Sequence, residues 1–215
     1  MRIGIVGTGV VGKTLGTKLV KRGHDVRMGS RAAGGESAKA WVKAAGGKSS
    51  EGTFADAAAH GEMIFNCTSG MVSLEALKLA GAKNLDGKVL VDVANPLDFS
   101  KGMPPTLSVC NSDSLAEQIQ RAFPGAHVVK TLNTVTTAVM VDPSIVPGAH
   151  DMFVSGNDAG AKARVVELLK TEFGWKEVVD LGDITGARSQ EMLLPLWMRL
   201  FAKFQSPNVN IHVTH

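Results

Sequence analysis

No tyrosine occurs among the 215 residues. No phenol can therefore act here as a catalytic acid or nucleophile. Cysteine is nearly absent too: Cys67 and Cys110 give neither a metal-ligand spacing nor a disulfide framework. Such usage fits a reducing, cytoplasmic setting. A large excess of charge of one sign is missing, because 23 Lys and Arg stand against 20 Asp and Glu. A net +3, well dispersed, argues for neither nucleic acid nor a membrane surface as partner. No apolar run reaches the roughly 18 residues of a spanning helix. The first strand pattern begins at Arg2, which leaves no room for a signal peptide. Repeats, linkers and low-complexity tracts are also lacking. What remains is an ordinary globular composition, 44% hydrophobic and 20% charged. The length suffices for one sizeable core with at most a small appendage.

The chain is organised around Ile3-Gly4-Ile5-Val6-Gly7-Thr8-Gly9-Val10-Val11-Gly12. Ile3 to Val6 reads as a short buried parallel strand. It breaks into Gly7-x-Gly9-x-x-Gly12, and a helix follows with Leu15, Leu19 and Val20 on one face, running to about Arg22 before Gly23. In such a fingerprint Gly7 permits the turn, Gly9 lets a pyrophosphate approach the backbone, and Gly12 lets the helix lie close to the sheet. The pyrophosphate then sits on a helix N-terminus, so Gly7, Thr8, Gly9, Val10, Val11 and Gly12 are assigned to it. The second strand, Asp25 to Met28, comes at the right distance to support a dinucleotide site.

The end of that strand discriminates between cofactors. An NAD enzyme usually places Asp or Glu there for the ribose hydroxyls. Here Gly29 leads into Ser30 and Arg31, a hydroxyl and a guanidinium suited to a 2′-phosphate. The expectation is NADP(H). Asp25 starts the strand and is not assigned to ribose.

Further along, the pattern predicts a helix over 34–45, a weak strand near Lys48–Ser50 and a Thr53-capped helix. Strands follow at Met63–Cys67, Lys88–Val93, His127–Leu132, Asp151–Ser155 and Glu177–Asp180. Helices are expected at Val72–Ala80, Ser114–Ala122 and, capped by Asp158, to about Thr171. The loop 97–111, with Gly102, Pro104 and Pro105, is either a lid or disordered. A last apolar helix runs from Asp183 to about Phe204, and Pro195 should kink it. Its Met192, Leu193, Leu196, Trp197, Leu200, Phe201 and Phe204 serve a dimer face, a pocket wall or simple packing. The fold class is thus α/β, a doubly wound, mostly parallel Rossmann-type sheet with a short C-terminal helical extension. The division expected is a cofactor-binding unit over 1–182 and the extension over 183–215.

Ligands of such sheets bind at the carboxyl ends of strands. The tips Thr68-Ser69-Gly70 and Ala94-Asn95-Pro96 are therefore placed beside the nicotinamide, with Thr68, Ser69, Ala94 and Asn95 as cofactor contacts. Asn133, at the next polar tip, joins Ala94 in lining the transfer site. A nicotinamide implies hydride transfer. Reduction of a carbonyl would need a positioned acid. His24, His60 and His127 precede or begin strands, at the wrong sheet edge; His150 opens another strand; His212 and His215 lie in the tail. Lys130 is the one candidate acid at a carboxyl strand end, although such a lysine also suits solvent or a phosphate. A flavin or deazaflavin ring accepts the hydride without that machinery, which favours it as acceptor.

The motifs carry a resemblance. Gly7 to Gly12, Gly29-Ser30-Arg31, Val128 to Thr134, Phe153 to Asp158, and the run from Asp180-Leu181-Gly182-Asp183 through Ala187-Arg188 to Glu191-Met192-Leu193-Leu194-Pro195-Leu196 resemble the NADP-dependent coenzyme F420 oxidoreductase family. The chain is also similar to the cytosolic NADPH-binding domain of the six-transmembrane metalloreductases. The resemblance covers nearly the whole chain. It implies NADP(H) with Ser30 and Arg31 on the 2′-phosphate, direct hydride transfer to a flavin (FMN or FAD) or F420 ring stacked near the nicotinamide, and often a homodimer. Two departures lie on the acceptor side: the archaeal enzymes carry a histidine where this chain has Asn133, and loop 97–111 has no counterpart. The alternatives left open are a carbonyl or imine reductase using Lys130, and an NADP-binding sensor without turnover.

Overall fold

A computed structural model describes residues 1–214. In chain order the elements are β1 (Arg2–Val6), α1 (Val10–Lys21), β2 (Asp25–Ser30), α2 (Glu36–Ala45), β3 (Ser49–Thr53), α3 (Phe54–His60), β4 (Met63–Asn66), α4 (Ser73–Ala80), α5 (Ala82–Leu85) and β5 (Val89–Asp92). They continue with β6 (Leu97–Asp98), β7 (Thr106–Leu107), α6 (Leu115–Ala122), β8 (His127–Thr131), α7 (Thr137–Val141), β9 (Asp151–Ser155), α8 (Ala159–Leu168), β10 (Glu177–Asp180), α9 (Ala187–Met192) and α10 (Leu194–Phe204). The main sheet has the order β10-β9-β8-β5-β4-β1-β2-β3. All its neighbouring strands are parallel except β8 and β9, which pair antiparallel. This is the doubly wound fold, with its switch point between β1 and β4.

Alternation along the central strands explains why helices cover both faces. Ile3, Ile5, Met63, Phe65, Val89 and Val91 enter one apolar cluster with Leu15, Leu19 and Trp41. Val6, Ile64, Leu90 and Val128 enter the other with Leu77, Leu115 and Ile119. Strands buried on both faces read as continuous apolar runs, which made them visible in the sequence.

Four features differ from the sequence reading. β2 extends to Ser30, so Ser30 ends the strand instead of lying beyond it. Segment 97–111 is an ordered hairpin, in which Leu97 pairs with Leu107 and Ser108 N donates to Pro96 O at 2.8 Å. The last helix is broken at Leu193, and Pro195 stands in the first turn of α10, where its missing N–H costs nothing. The fourth is the reversal of β9. It puts His150 at the same edge as the carboxyl end of β8, although its imidazole is taken up by Pro143 O at 3.0 Å and Asn210 Nδ2 at 3.1 Å. His24, His60 and His127 do lie at the opposite edge, and His215 lies outside the described residues.

Candidate active site

The glycine loop presents an anion site open to solvent. Gly7 has φ +119°, and a Cβ there would meet Cys67 O at 2.8 Å, so only glycine fits. At Gly9 nothing lies within 4 Å of where a Cβ would stand. That vacant approach leads to the start of α1, which has no side-chain cap and no acid in its first turn. Its free N–H groups and dipole suit a phosphate. Ser30 ends β2 across from this loop, its hydroxyl donating to Ala32 O at 2.6 Å. Arg31 is exposed and forms no ion pair among the described residues. Ser37 Oγ donates to Thr8 O at 3.3 Å, tying α2 to the glycine loop. These groups fit the pyrophosphate and 2′-phosphate of NADP(H).

Beyond the loop a cleft of about 400 Å³ opens over the carboxyl ends of β4, β5 and β8. It brings together Val11, Thr68, Ser69, Ala94, Asn95 and Asn133, all named from the sequence. The tips interlock. A Cβ on Gly70 would stand 2.1 Å from Asn95 O, which is why a glycine occupies that turn. Asn95 Nδ2 donates to Asn133 O at 2.8 Å, and Asn133 Nδ2 donates back to Asn95 Oδ1 at 2.9 Å. The buried Leu132, at φ +62°, turns the chain into the left-handed region just before Asn133. Such a conformation costs on the order of 1–3 kcal/mol and persists only where packing enforces it.

The lining also contains Val135, Thr136 and Thr137 from the polar tip after β8, and Trp197, for which a pocket wall is one of the readings; Leu97, Phe99, Met140 and Leu194 are not singled out as site residues from the sequence. Phe99 and Leu97 come from the hairpin, whose two-residue strands carry no periodic signature that could aim them at the site. No titratable side chain lines the cleft among the described residues.

Lys130 requires a correction. It is neither a solvent-facing charge nor an acid in the cleft, since it is completely buried below it. Its Nζ reaches Asp92 Oδ2 at 2.9 Å and Glu191 Oε1 at 2.8 Å, and donates a further short bond to Ala94 O. Burial pulls the ammonium pKa down, but Asp92 and Glu191 more than offset this and leave it above the ordinary lysine value. Burial likewise lifts Glu191, with Lys130 opposing. Asp92 also accepts from Asn66 Nδ2 at 2.8 Å, and Asn66 Oδ1 accepts from Thr68 Oγ1 at 2.7 Å. Glu191 accepts from Leu115 N at 2.9 Å at the start of α6. Gln190 closes the set, its side chain donating to Phe153 O at 3.0 Å while its backbone carbonyl accepts from Asn133 Nδ2 at 3.1 Å. A buried polar network thus ties α9 to both cleft tips.

The fold and the glycine-loop site define a dinucleotide-binding Rossmann protein. The description "NADP oxidoreductase coenzyme F420-dependent" matches residues 2–96. The F420-dependent NADP reductase of Methanocaldococcus jannaschii is 30% identical over 161 residues, 74% of this chain and 71% of the relative. A crystal structure from Arthrobacter sp. FB24, provisionally described as an F420-dependent NADP-reductase, is 49% identical over the full length of both chains, with a TM-score of 0.94. Metalloreductase STEAP3 of Rattus norvegicus is 30% identical over 211 residues, 91% of this chain but 38% of that protein. The chain belongs to the F420-dependent NADP oxidoreductase family and is an NADP-dependent oxidoreductase.

Proposed function

We infer that this enzyme transfers a hydride between NADP(H) and a flavin-type or deazaflavin ring. The observation that carries the reading is the cleft lining, which contains hydroxyls, amides and apolar groups but no acid or base. Carbonyl reduction forms an alkoxide that needs a proton at once. Lys130, the acid of that alternative, is enclosed by Asp92 and Glu191. A flavin-type ring spreads the incoming electron pair over its own heterocycle and takes its proton from solvent.

In this reading Gly7, Thr8, Gly9, Val10, Val11 and Gly12 hold the pyrophosphate, and Ser30 and Arg31 the 2′-phosphate. Thr68, Ser69, Ala94, Asn95 and Asn133 seat the nicotinamide. When bound, NADPH supplies the hydride. The protein orients two rings and excludes water between them. Residues 1–182 then form the cofactor unit, and residues 183–215 complete the acceptor side through Leu194 and Trp197. The unpaired Cys67 and Cys110 support a cytoplasmic setting. The exposed Leu196, Phe201 and Phe204 of α10 support a homodimer.

The test is NADPH oxidation with F420, FMN, FAD, riboflavin and a panel of small carbonyls and imines. Turnover is expected with one or more of the ring acceptors and with none of the others. Reduction of a carbonyl or imine with no ring acceptor active would overturn the reading, and binding without turnover of anything would leave a sensor.

A further inference from the structure

We propose that Trp197, faced by Phe99 on the β6–β7 hairpin, is the stacking platform of the hydride acceptor, and that it selects planar heteroaromatic rings. The proposal rests on the hydride-transfer reading above and adds the residues that recognise the acceptor.

Aromatic residues are scarce in this chain: three Trp, eight Phe and no Tyr. Two of the tryptophans belong to the core. Trp41 is buried with Nε1 donating to Thr17 Oγ1 at 3.1 Å, and Trp175 is buried with Nε1 donating to Met140 O at 3.0 Å. Trp197 is the remaining one, and it lines the cleft. Its orientation is set from two sides. Nε1 donates to Val209 O at 3.3 Å, in the C-terminal segment that crosses back over the start of β9. The Phe201 ring lies parallel to the indole, 5.7 Å between centroids and 11° between planes. Phe201 does not line the cleft, whereas Trp197 does.

Leu194 is the only buried residue of α10, so the helix is not held in place by a core of its own. Phe99 is 56% exposed at the hairpin, yet it joins Trp197, Met140 and Leu194 in the lining. The cleft is therefore two-sided. Thr68, Ser69, Asn95 and Asn133 make a polar side at the strand tips, while Trp197, Phe99, Leu194 and Met140 make an apolar, aromatic side. A flat ring gains both dispersion and face-to-face stacking from such a wall. A small aliphatic carbonyl gains little from it and finds no acid.

Calorimetric titration of oxidised acceptor without NADPH should give a Kd about 10- to 100-fold higher for Trp197→Ala than for the wild type, with Trp197→Phe near the wild type. Stacking on a protein aromatic contributes about 1–3 kcal/mol for a nucleobase, which corresponds to about 10- to 100-fold. Trp197→Ala should therefore raise the acceptor KM by about 10- to 100-fold and leave the NADPH Kd within about twofold. Trp197→Phe, which keeps a ring, should recover most of the loss. Phe99→Ala, on an exposed hairpin that does not bear on folding, should raise the same KM several-fold. Ring-acceptor turnover with an unmoved acceptor KM in both alanine variants would overturn the platform while leaving the hydride-transfer reading intact. So would an acceptor Kd unmoved in Trp197→Ala, or an effect confined to NADPH binding. If no ring acceptor is reduced by the wild type, the reading of the reaction fails, and the platform with it.

Discussion

At the glycine-loop end the groups assigned to cofactor are adjacent in sequence and left free by the protein. Gly9 faces empty space, the start of α1 carries no cap, and Arg31 extends into solvent. At the β8 end the opposite holds. Lys130, Asp92, Asn66, Glu191 and Gln190 come from segments far apart in sequence and spend their polar atoms on one another, on the backbone and on the hydroxyls of Thr68, Ser73 and Ser155. The contrast separates two uses of charge near one cleft. Exposed, unpaired cations are available to a ligand. A buried cation fixed by two carboxylates is architecture, because removing it from its partners costs more than any ligand returns. A lysine at a strand end looks the same in sequence in either use.

The sharpest test of that contrast is Lys130→Met. It leaves Asp92 and Glu191 buried without their cation, which costs about 3–5 kcal/mol when one partner of such a pair is lost. For a chain of this size the melting temperature should drop by about 6–20 °C. An unchanged melting temperature with a hundredfold loss of turnover would return Lys130 to a catalytic role.

On the open side Gly9→Val should do the reverse. Nothing lies within 4 Å of the new Cβ, so thermal unfolding should be near wild type. A branched side chain in the pyrophosphate path should raise the NADPH Kd on the order of 100-fold or more, as titration would show. Normal binding would place the site elsewhere.

Arg31→Ala should weaken NADPH by about 10- to 100-fold, since a hydrogen bond to a charged group contributes about 1.5–3 kcal/mol. NADH binding, measured in parallel, should hardly move. Equal losses for both cofactors would remove Arg31 from the 2′-phosphate.

The smallest effect concerns Asp113, whose carboxyl is held down to about 2, chiefly by its hydrogen bonds with Arg121. A carboxylate whose pKa is depressed by folding stabilises the fold above its ordinary value of 3.8, and that contribution fades as pH falls toward about 2. Asp113→Asn should therefore cost up to about 1 kcal/mol near neutrality, because the pair is at the surface. The difference from wild type in chemical denaturation should vanish near pH 2. A difference that persists there would mean that packing, not charge, is responsible.

Much of the cofactor half was legible beforehand because its signals are local. A strand buried on both faces must be apolar throughout, and the tight turn at Gly7 demands glycine, so Ile3 to Gly12 announces both the strand and the loop. The tips at Thr68, Asn95 and Asn133 followed from strand ends alone, and the cleft does gather them. Legibility failed where two strands of different direction meet. The antiparallel direction of β9, which carries His150 to the sheet edge where β8 ends, depends on pairing with β8 and leaves no periodic trace. The hairpin at 97–107 was hidden for a related reason: each of its strands is two residues long, too short for alternation to register.

The sequence by itself determined the alternation of strands and helices, the glycine loop and the identity of the residues at the end of β2, since each follows from steric or periodic rules that act within a few residues. Tertiary structure alone decided that Lys130 is sealed between Asp92 and Glu191, that Phe99 and Trp197 line one cleft, and that Pro195 begins a helix instead of bending one. The physical reason is range. Burial, charge pairing and the approach of two loops depend on which distant segments the sheet brings together, and no window of sequence contains both partners.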